Sequence, residues 1–416
     1  MVGSGNTTSL TLLPAVLGLL GDRVNALRVP IIGRNIGRGA DSAEGRFWQR
    51  IVEAVLRRPV LSLLLAAGAM LAIATPTLGL HVGENGVNTL PGHLPSKQGY
   101  LALQREFPAQ SPYPAEIVVS GGNASARADL VKLQKKLAAD PRFAPGTIAT
   151  SPLRSGVSLL TVPVRGDASS NHAVSALRDL RSHVIPGLFA GSGATVLVGG
   201  QTAIYSHYYN ASTNPTPIVL ALVLGLSFIL LTIAFRSIVV SLVSIALNLL
   251  SVGAAYGVLT LVFLHGFGAH LLGFQQVPVI DAWVPLFLFS VLFGLSMDYQ
   301  VFLMSRIRER YDQTGSTRDA VSWGVASTAR IITGAALIII AVFAGFASGE
   351  MVAFQQMGFG VAVALFLDAT IVRSVVLPSV LSLLGNRCWY LPRWLAWLPR
   401  VEVSRHPRGE LSPEAG

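Results

Sequence analysis

Apolar residues run along this chain in blocks of membrane-spanning length, separated by stretches in which they recur at quite different intervals. Six blocks hold roughly 18 or more nearly uncharged residues, enough for a helix to cross about 30 Å of hydrocarbon. They are Val60 to Leu80, Pro215 to Phe235, Ser237 to Leu264, Ala282 to Ser305, Ile331 to Ser348 and Ala353 to Leu384, numbered below as the first to sixth spans. A shorter apolar piece, Leu10 to Gly21, opens the chain without the basic start or A-x-A site of a secretory signal.

The long segment from His81 to Asn214 is too polar to lie in lipid and predicts one outer domain. Glu116 to Ser120, Thr147 to Thr150, Val157 to Val164 and Ala194 to Val198 read as strands. Leu130, Leu133 and Leu137 lie at helical spacing in Ser125 to Ala139, and Val174, Leu177, Leu180 and Val184 mark a second helix. The order βαββαβ is the split βαβ arrangement of ferredoxin-like domains. The predicted fold is an α-helical polytopic membrane protein with an extracytoplasmic α+β domain. Residues 1–23 read as the end of a preceding transmembrane helix and 24–58 as a cytoplasmic linker. A transmembrane helix at 59–80, the outer domain at 81–214, a five-helix bundle at 215–385 and a basic cytoplasmic tail at 386–416 complete the division.

Composition agrees: 51% of the 416 residues are apolar and 12% charged, against roughly 25% charged in soluble domains. The net charge of +10 raises nucleic acid as a partner, but the arginines sit where topology needs them. Arg23 to Arg58, Arg236, Arg306 to Arg330 and Arg387 to Arg408 occupy alternate connections, while 265–281 and 349–352 have no Lys or Arg. By the positive-inside rule the arginine-rich connections and both termini are cytoplasmic, and no nucleic acid is implied. The single cysteine, Cys388, excludes an intramolecular disulfide and a zinc cluster, and no P-loop or H-E-x-x-H pattern appears. No enzyme, metal or cofactor is predicted.

The two ends share a pattern. LLPAVLGLLGDR (Leu12 to Arg23) and VLPSVLSLLGNR (Val376 to Arg387) agree at eight of twelve positions, including a proline, a glycine and an arginine. Either leucine-rich composition produced this by coincidence, or the chain carries the tail of one half of a repeated transporter plus a whole second half.

Charged residues inside the spans are the candidate chemistry. Asp298 sits in the fourth span beside Tyr299, and Asp368 and Arg373 in the sixth. An ionised side chain near the bilayer centre costs about 2.5–3.5 kcal/mol on insertion scales, so it marks an ion or substrate path or meets a partner. For Asp298 and Asp368 the alternative is a protonated carboxyl joining helices by hydrogen bonds; for Arg373 it is snorkelling to the interface. Tyr299 alone suits a membrane interface; beside an acid it can donate to a carboxylate or pass a proton. Five residues advance an α-helix by about 140°, so Asp368 and Arg373 are predicted to look toward different neighbouring helices. In a lone half, Asp298 and Asp368 are both predicted to confront lipid. Gly294, Gly358 and Gly360 suit close helix contact.

The run FGLSMDYQVFLMSRIRER, with AVSWGVASTARIITGAALIIIAVFAGFAS and GFGVAVALFLDATIVRSVVLPSVLSLLG after it and RRPVLSLLLAAGAMLAIATPTLGLHVGENGVNTLP at the first span, resembles the mycobacterial membrane protein large (MMPL) family of the resistance-nodulation-division superfamily. The resemblance implies proton-driven export of lipids or other hydrophobic compounds across the inner membrane of actinobacteria. It implies that the outer domain is a porter domain, that Asp298 and Tyr299 are half of a double Asp-Tyr proton relay, and that Asp368 and Arg373 are its accessory charged pair. Gln300 stands where many relatives have glutamate, and Ala329 replaces a usual glycine. Family members carry two six-span halves, and this chain resembles the second. The implied partners are a lipid or hydrophobic substrate, protons, and a second half-transporter chain or further copies of this one. The alternative class is a non-transporting fragment or scaffold subunit.

Overall fold

A computed structural model of the chain describes residues 15, 18, 19, 43–395, 397 and 398, apart from 108–112, 122–123, 144–148 and 155–156. The terminal repeat's first copy thus lies largely outside the described residues. Six helices are long and apolar enough to cross a membrane, and they coincide with the six predicted spans: Pro59–Gly79, Gln201–Phe235, Ile238–Leu264, Val284–Thr314, Thr317–Ala347 and Val352–Trp389. The chain is a multi-pass membrane protein.

Several helices overrun the apolar blocks. The second span begins in the outer segment at Gln201, and the fourth and fifth continue through charged turns to Thr314 and from Thr317. Hydropathy detects the lipid-facing length, whereas hydrogen bonding continues until a cap ends it. At the fourth-to-fifth turn, Gly315 takes a left-handed φ of 67° and Ser316 accepts from the Asp319 amide to start the next helix. The second-to-third turn is shorter: Arg236 adopts φ 50°, and Ser237 caps the third span through the Val240 amide. The segment read as a linker contains a helix, Ala43–Arg57, whose Val52, Val55 and Leu56 are buried.

The third, fourth and sixth spans form the bundle's interior. Phe289, Phe293, Leu259 and Leu288 pack between them, and the first span approaches closely at Gly257, where a Cβ would meet the Ile73 carbonyl. Gly358 permits the fifth and sixth spans to touch, since a Cβ there would lie 2.4 Å from the Phe343 oxygen. Gly360 is similarly closed by Leu288, but Gly294 faces open space and closes nothing within this chain.

The outer unit contains a four-stranded antiparallel sheet of β2 (Ala115–Gly121), β3 (Ala149–Arg154), β4 (Val157–Val162) and β5 (Ala194–Gly200), in the order β3-β4-β2-β5. Helix Ala124–Ala139 crosses from β2 to β3, and its Leu130, Leu133 and Leu137 are buried as their spacing predicts. The second crossover begins at Asn171–Asp179 and carries buried Leu177, Leu180 and Val184. Ala173 and Ala176, rather than Val174, complete its inner face.

A two-strand parallel ladder joins this unit to the bundle: β1 (Val82–Gly83), after the first span, pairs with β6 (Ile280–Asp281), before the fourth. Asn85 donates its side-chain amide to Asp281 Oδ2 at 2.9 Å, and Gln356 of the sixth span accepts the Asp281 amide at 3.0 Å. Glu84 lies beside this joint with Oε2 enclosed and unpartnered. Burial, and secondarily the Asp281 charge, push its pKa from 4.5 up to about 7.

Candidate functional site

The four candidate residues fall on two sides of the fourth span. Asp298 is exposed on the outer surface of the bundle, whereas Asp368 and Arg373 are 3% and 4% exposed inside it and Tyr299 is half-buried between. Consecutive residues of an α-helix point about 100° apart, which separates Asp298 from Tyr299. Ser290, Gly294, Asp298 and Val301 share the exposed stripe. Asp298 thus lies on the bundle's surface, whereas the expectation that Asp368 confronts lipid fails, since the third, fourth and sixth spans enclose it.

The sixth span also corrects the reading of Asp368 and Arg373 as residues facing different helices. It is α-helical over Val352–Leu367, π-helical over Asp368–Val376, and α-helical again over Leu377–Leu384. A π turn closes about every 4.4 residues, so five residues end only roughly 50° past a full turn instead of about 140°. Arg373 Nε and Nη2 both reach Asp368 Oδ2, at 3.0 and 2.9 Å. Pro378 follows at once; lacking an N–H, it cannot bond the carbonyl four residues earlier and favours a departure from α geometry. Arg373 is thus buried and paired within its own helix and does not snorkel.

Side chains from the fourth and third spans complete the charge network. Ser296 Oγ lies 2.8 Å from Asp368 Oδ2 and 2.7 Å from Asn248 Oδ1. Its one proton serves one acceptor at a time, so the hydroxyl can turn from the carboxylate to the amide. Ser251 Oγ reaches the other carboxylate oxygen at 3.2 Å. Arg373 Nη2 also donates to the Ser296 carbonyl at 2.9 Å, and the guanidinium carbon lies 5.1 Å from the Tyr299 ring centre. A cation over a desolvated ring contributes about 2 kcal/mol, so Tyr299 holds the face of the arginine while Asp368 holds its edge. One turn along, Gln300 donates to Ser244 at 3.1 Å, which gives a buried role to the amide standing where glutamate was expected.

Ser244, Asn248, Ser251 and Ser296 were not singled out from sequence. Their signal is the spacing of polar residues in the third span, Ser237, Ser241, Ser244, Asn248 and Ser251, at alternating intervals of four and three. Hydropathy averages conceal it because small neutral polar groups hardly lower the mean. Among the described residues no cluster of three or more His, Cys, Asp or Glu could hold a metal ion.

Comparison with known proteins identifies the family of the chain. The family model described as "MMPL family" matches residues 147–409. The chain is 35% identical over 417 residues to a mycolic acid-containing lipids exporter, MmpL11 of Mycolicibacterium smegmatis, covering 96% of this chain and 42% of that protein. Over 408 residues it is 36% identical to the heme uptake protein MmpL11 of Mycobacterium tuberculosis H37Rv, covering 96% and 41%. It is 30% identical over 418 residues to the trehalose monomycolate exporter MmpL3 of the same strain, covering 93% and 44%. The chain therefore spans less than half the length of these relatives, and it matches their C-terminal half. With the matched model and the spans it encloses, the chain belongs to the MMPL family.

Proposed function

We propose that this chain supplies one half of a proton-driven exporter of lipids or other hydrophobic compounds, acting as a transporter and not as an enzyme. The observation that carries the reading is the outward position of Asp298 on a bundle whose Asp368 and Arg373 are paired inside. A carboxylate left against hydrocarbon costs about 2.5–3.5 kcal/mol, so the stripe Ser290, Gly294, Asp298 and Val301 calls for a facing half, on the same polypeptide or on another chain. Small Ser290 and Gly294 let that half approach closely. Asp298 then accepts and releases a proton at the seam, while Tyr299 links the same turn to the fixed Arg373–Asp368 pair.

The outer unit fits a ferredoxin-like porter domain: β2 and β3 flank β4, two helices cross over, and β5 leads directly into the second span. Movement of the fourth span is carried outward through Asp281, Asn85 and β1. The lipid class follows from the two exporters among the relatives; a heme uptake protein of similar identity makes heme the comparison substrate. The experiment is lipid transfer from proteoliposomes holding the complete assembly, with and without an imposed proton gradient. Gradient-dependent transfer that Asp298→Asn abolishes supports the proposal; transfer of equal rate in that variant refutes it.

A further inference from the structure

The third span turns a stripe of small polar residues toward the fourth and sixth. Ser237, Ser241, Ser244, Asn248 and Ser251 share one helix face over a length of about 21 Å, and all are buried, at 3% exposure or less. The stripe starts beside Arg236 at the helix end and finishes at Ser251, whose hydroxyl reaches Asp368. Its members meet side chains of other spans: Thr232 donates to Ser241, Gln300 to Ser244, and Ser296 to Asn248.

Two donors along this route end without an acceptor. Asn248 Nδ2 and Arg373 Nη1 are enclosed and unpartnered, in residues that are 3% and 4% exposed. Leaving a buried donor unsatisfied is costly, and more so when it is charged. Protein interiors satisfy such groups with ordered water where several polar partners converge. Both residues touch Ser296 Oγ, Asn248 at 2.7 Å and Arg373 at 3.2 Å, so the two orphan donors belong to one polar centre.

We propose that this stripe of the third span is a water-bearing path by which solvent protons from the Arg236 end reach Asp368. Water oxygens accept from Asn248 Nδ2 and Arg373 Nη1. Each serine hydroxyl takes a proton on a lone pair as it passes its own to the next oxygen, so every group ends with the atoms it began with. The Asn248 and Gln300 amides do not relay; they align the water and hydroxyl oxygens. The inference needs the membrane placement of the spans but not the lipid-export reading.

Single cysteines placed in a Cys388→Ser chain, in sealed vesicles, test it with a small water-soluble methanethiosulfonate cation added at the Arg236 side. Thiolate is the reacting form, and a thiol in hydrocarbon stays protonated, so Ser244→Cys and Asn248→Cys should label at least about tenfold faster than lipid-facing Leu242→Cys and Leu249→Cys. Equal rates at all four positions would overturn the path. Because a cysteine in this interior can disturb folding, the unmodified chain provides a second reading. A density map that resolves ordered water should show it within hydrogen-bond distance of both orphan donors, and dry packing at both would also overturn the path. Absence of gradient-driven lipid transfer from the unmodified assembly, with the labelling pattern intact, would count against the transport reading alone.

Discussion

Arg373 grips Asp368 from five residues farther along the same helix, with Nε and Nη2 both on Oδ2 at 3.0 and 2.9 Å. The π-helical segment that permits this concentrates two opposite charges in one buried place and leaves the acid of the fourth span outside it. Removing one member of such a pair strands the other, at about 3–5 kcal/mol. Arg373→Ala should therefore lower the thermal unfolding temperature in detergent substantially, and Asp368→Asn less, because its amide keeps an acceptor for the guanidinium. The paired change Asp368→Leu with Arg373→Met should recover much of the loss. A single Arg373→Ala variant as stable as wild type would remove the pair from the account.

Asp298 should behave in the opposite way. With no neighbour in the bundle to satisfy, Asp298→Asn is expected to change the chain's stability by no more than about 0.5 kcal/mol. Unfolding of the isolated chain in detergent checks this, and a large loss would show that Asp298 has an internal structural partner.

Glycine positions separate the internal contacts from the outward stripe. Gly358→Ala forces a Cβ against the backbone of Phe343 and Ala347, an overpacking that costs about 1–3 kcal/mol. Gly294→Ala meets no atom within 4 Å and should leave the isolated chain's unfolding temperature unchanged or slightly raised. Equal destabilisation by both would contradict the helix arrangement.

The joint between bundle and outer unit should respond to pH through Glu84. Its folded pKa of about 7 lies above the ordinary 4.5, so the folded chain holds this proton more tightly than the unfolded chain does. The stabilising contribution is full below about pH 4.5 and is lost as pH rises toward and through 7. Burial of Asp281 raises its pKa as well and acts in the same direction. Asp140 and Asp179, held down first by hydrogen bonds from Arg142, act oppositely and only at acidic pH below their usual range. Unfolding temperatures between about pH 5 and about pH 8 should fall by a few degrees in the wild type and less in Glu84→Gln. Identical slopes in the two proteins would exclude Glu84 as the source.

Much of this architecture was legible because the forces behind it are periodic. Uncharged blocks marked the spans, and leucines at helical spacing marked the outer helices. The sixth span escaped that logic at one place, since the α period places Asp368 and Arg373 far apart and only a π segment, ahead of Pro378, unites them. The serine stripe was visible as spacing but not as hydropathy. Helix Ala43–Arg57 reads as linker when its three arginines are taken only as topology signals, although Val52, Val55 and Leu56 form a buried face. The separation of Asp298 from Tyr299 by about 100° follows from helix geometry alone, but which of them turns toward the interior depends on the third and sixth spans, which local sequence does not show.

The central claim is that the fourth span faces two ways, inward to the charge pair and outward to another half. Crosslinking across that seam tests it most directly. Single cysteines at positions 290 to 301 in a Cys388→Ser background, each combined with a single cysteine on the facing span of the other half and oxidised in native membranes, should form disulfides at Ser290→Cys, Gly294→Cys, Asp298→Cys and Val301→Cys. Leu292→Cys, Ser296→Cys and Gln300→Cys should remain unlinked, since these positions are buried in the chain's own bundle. Links at the buried positions, or none along the exposed stripe, would contradict the account.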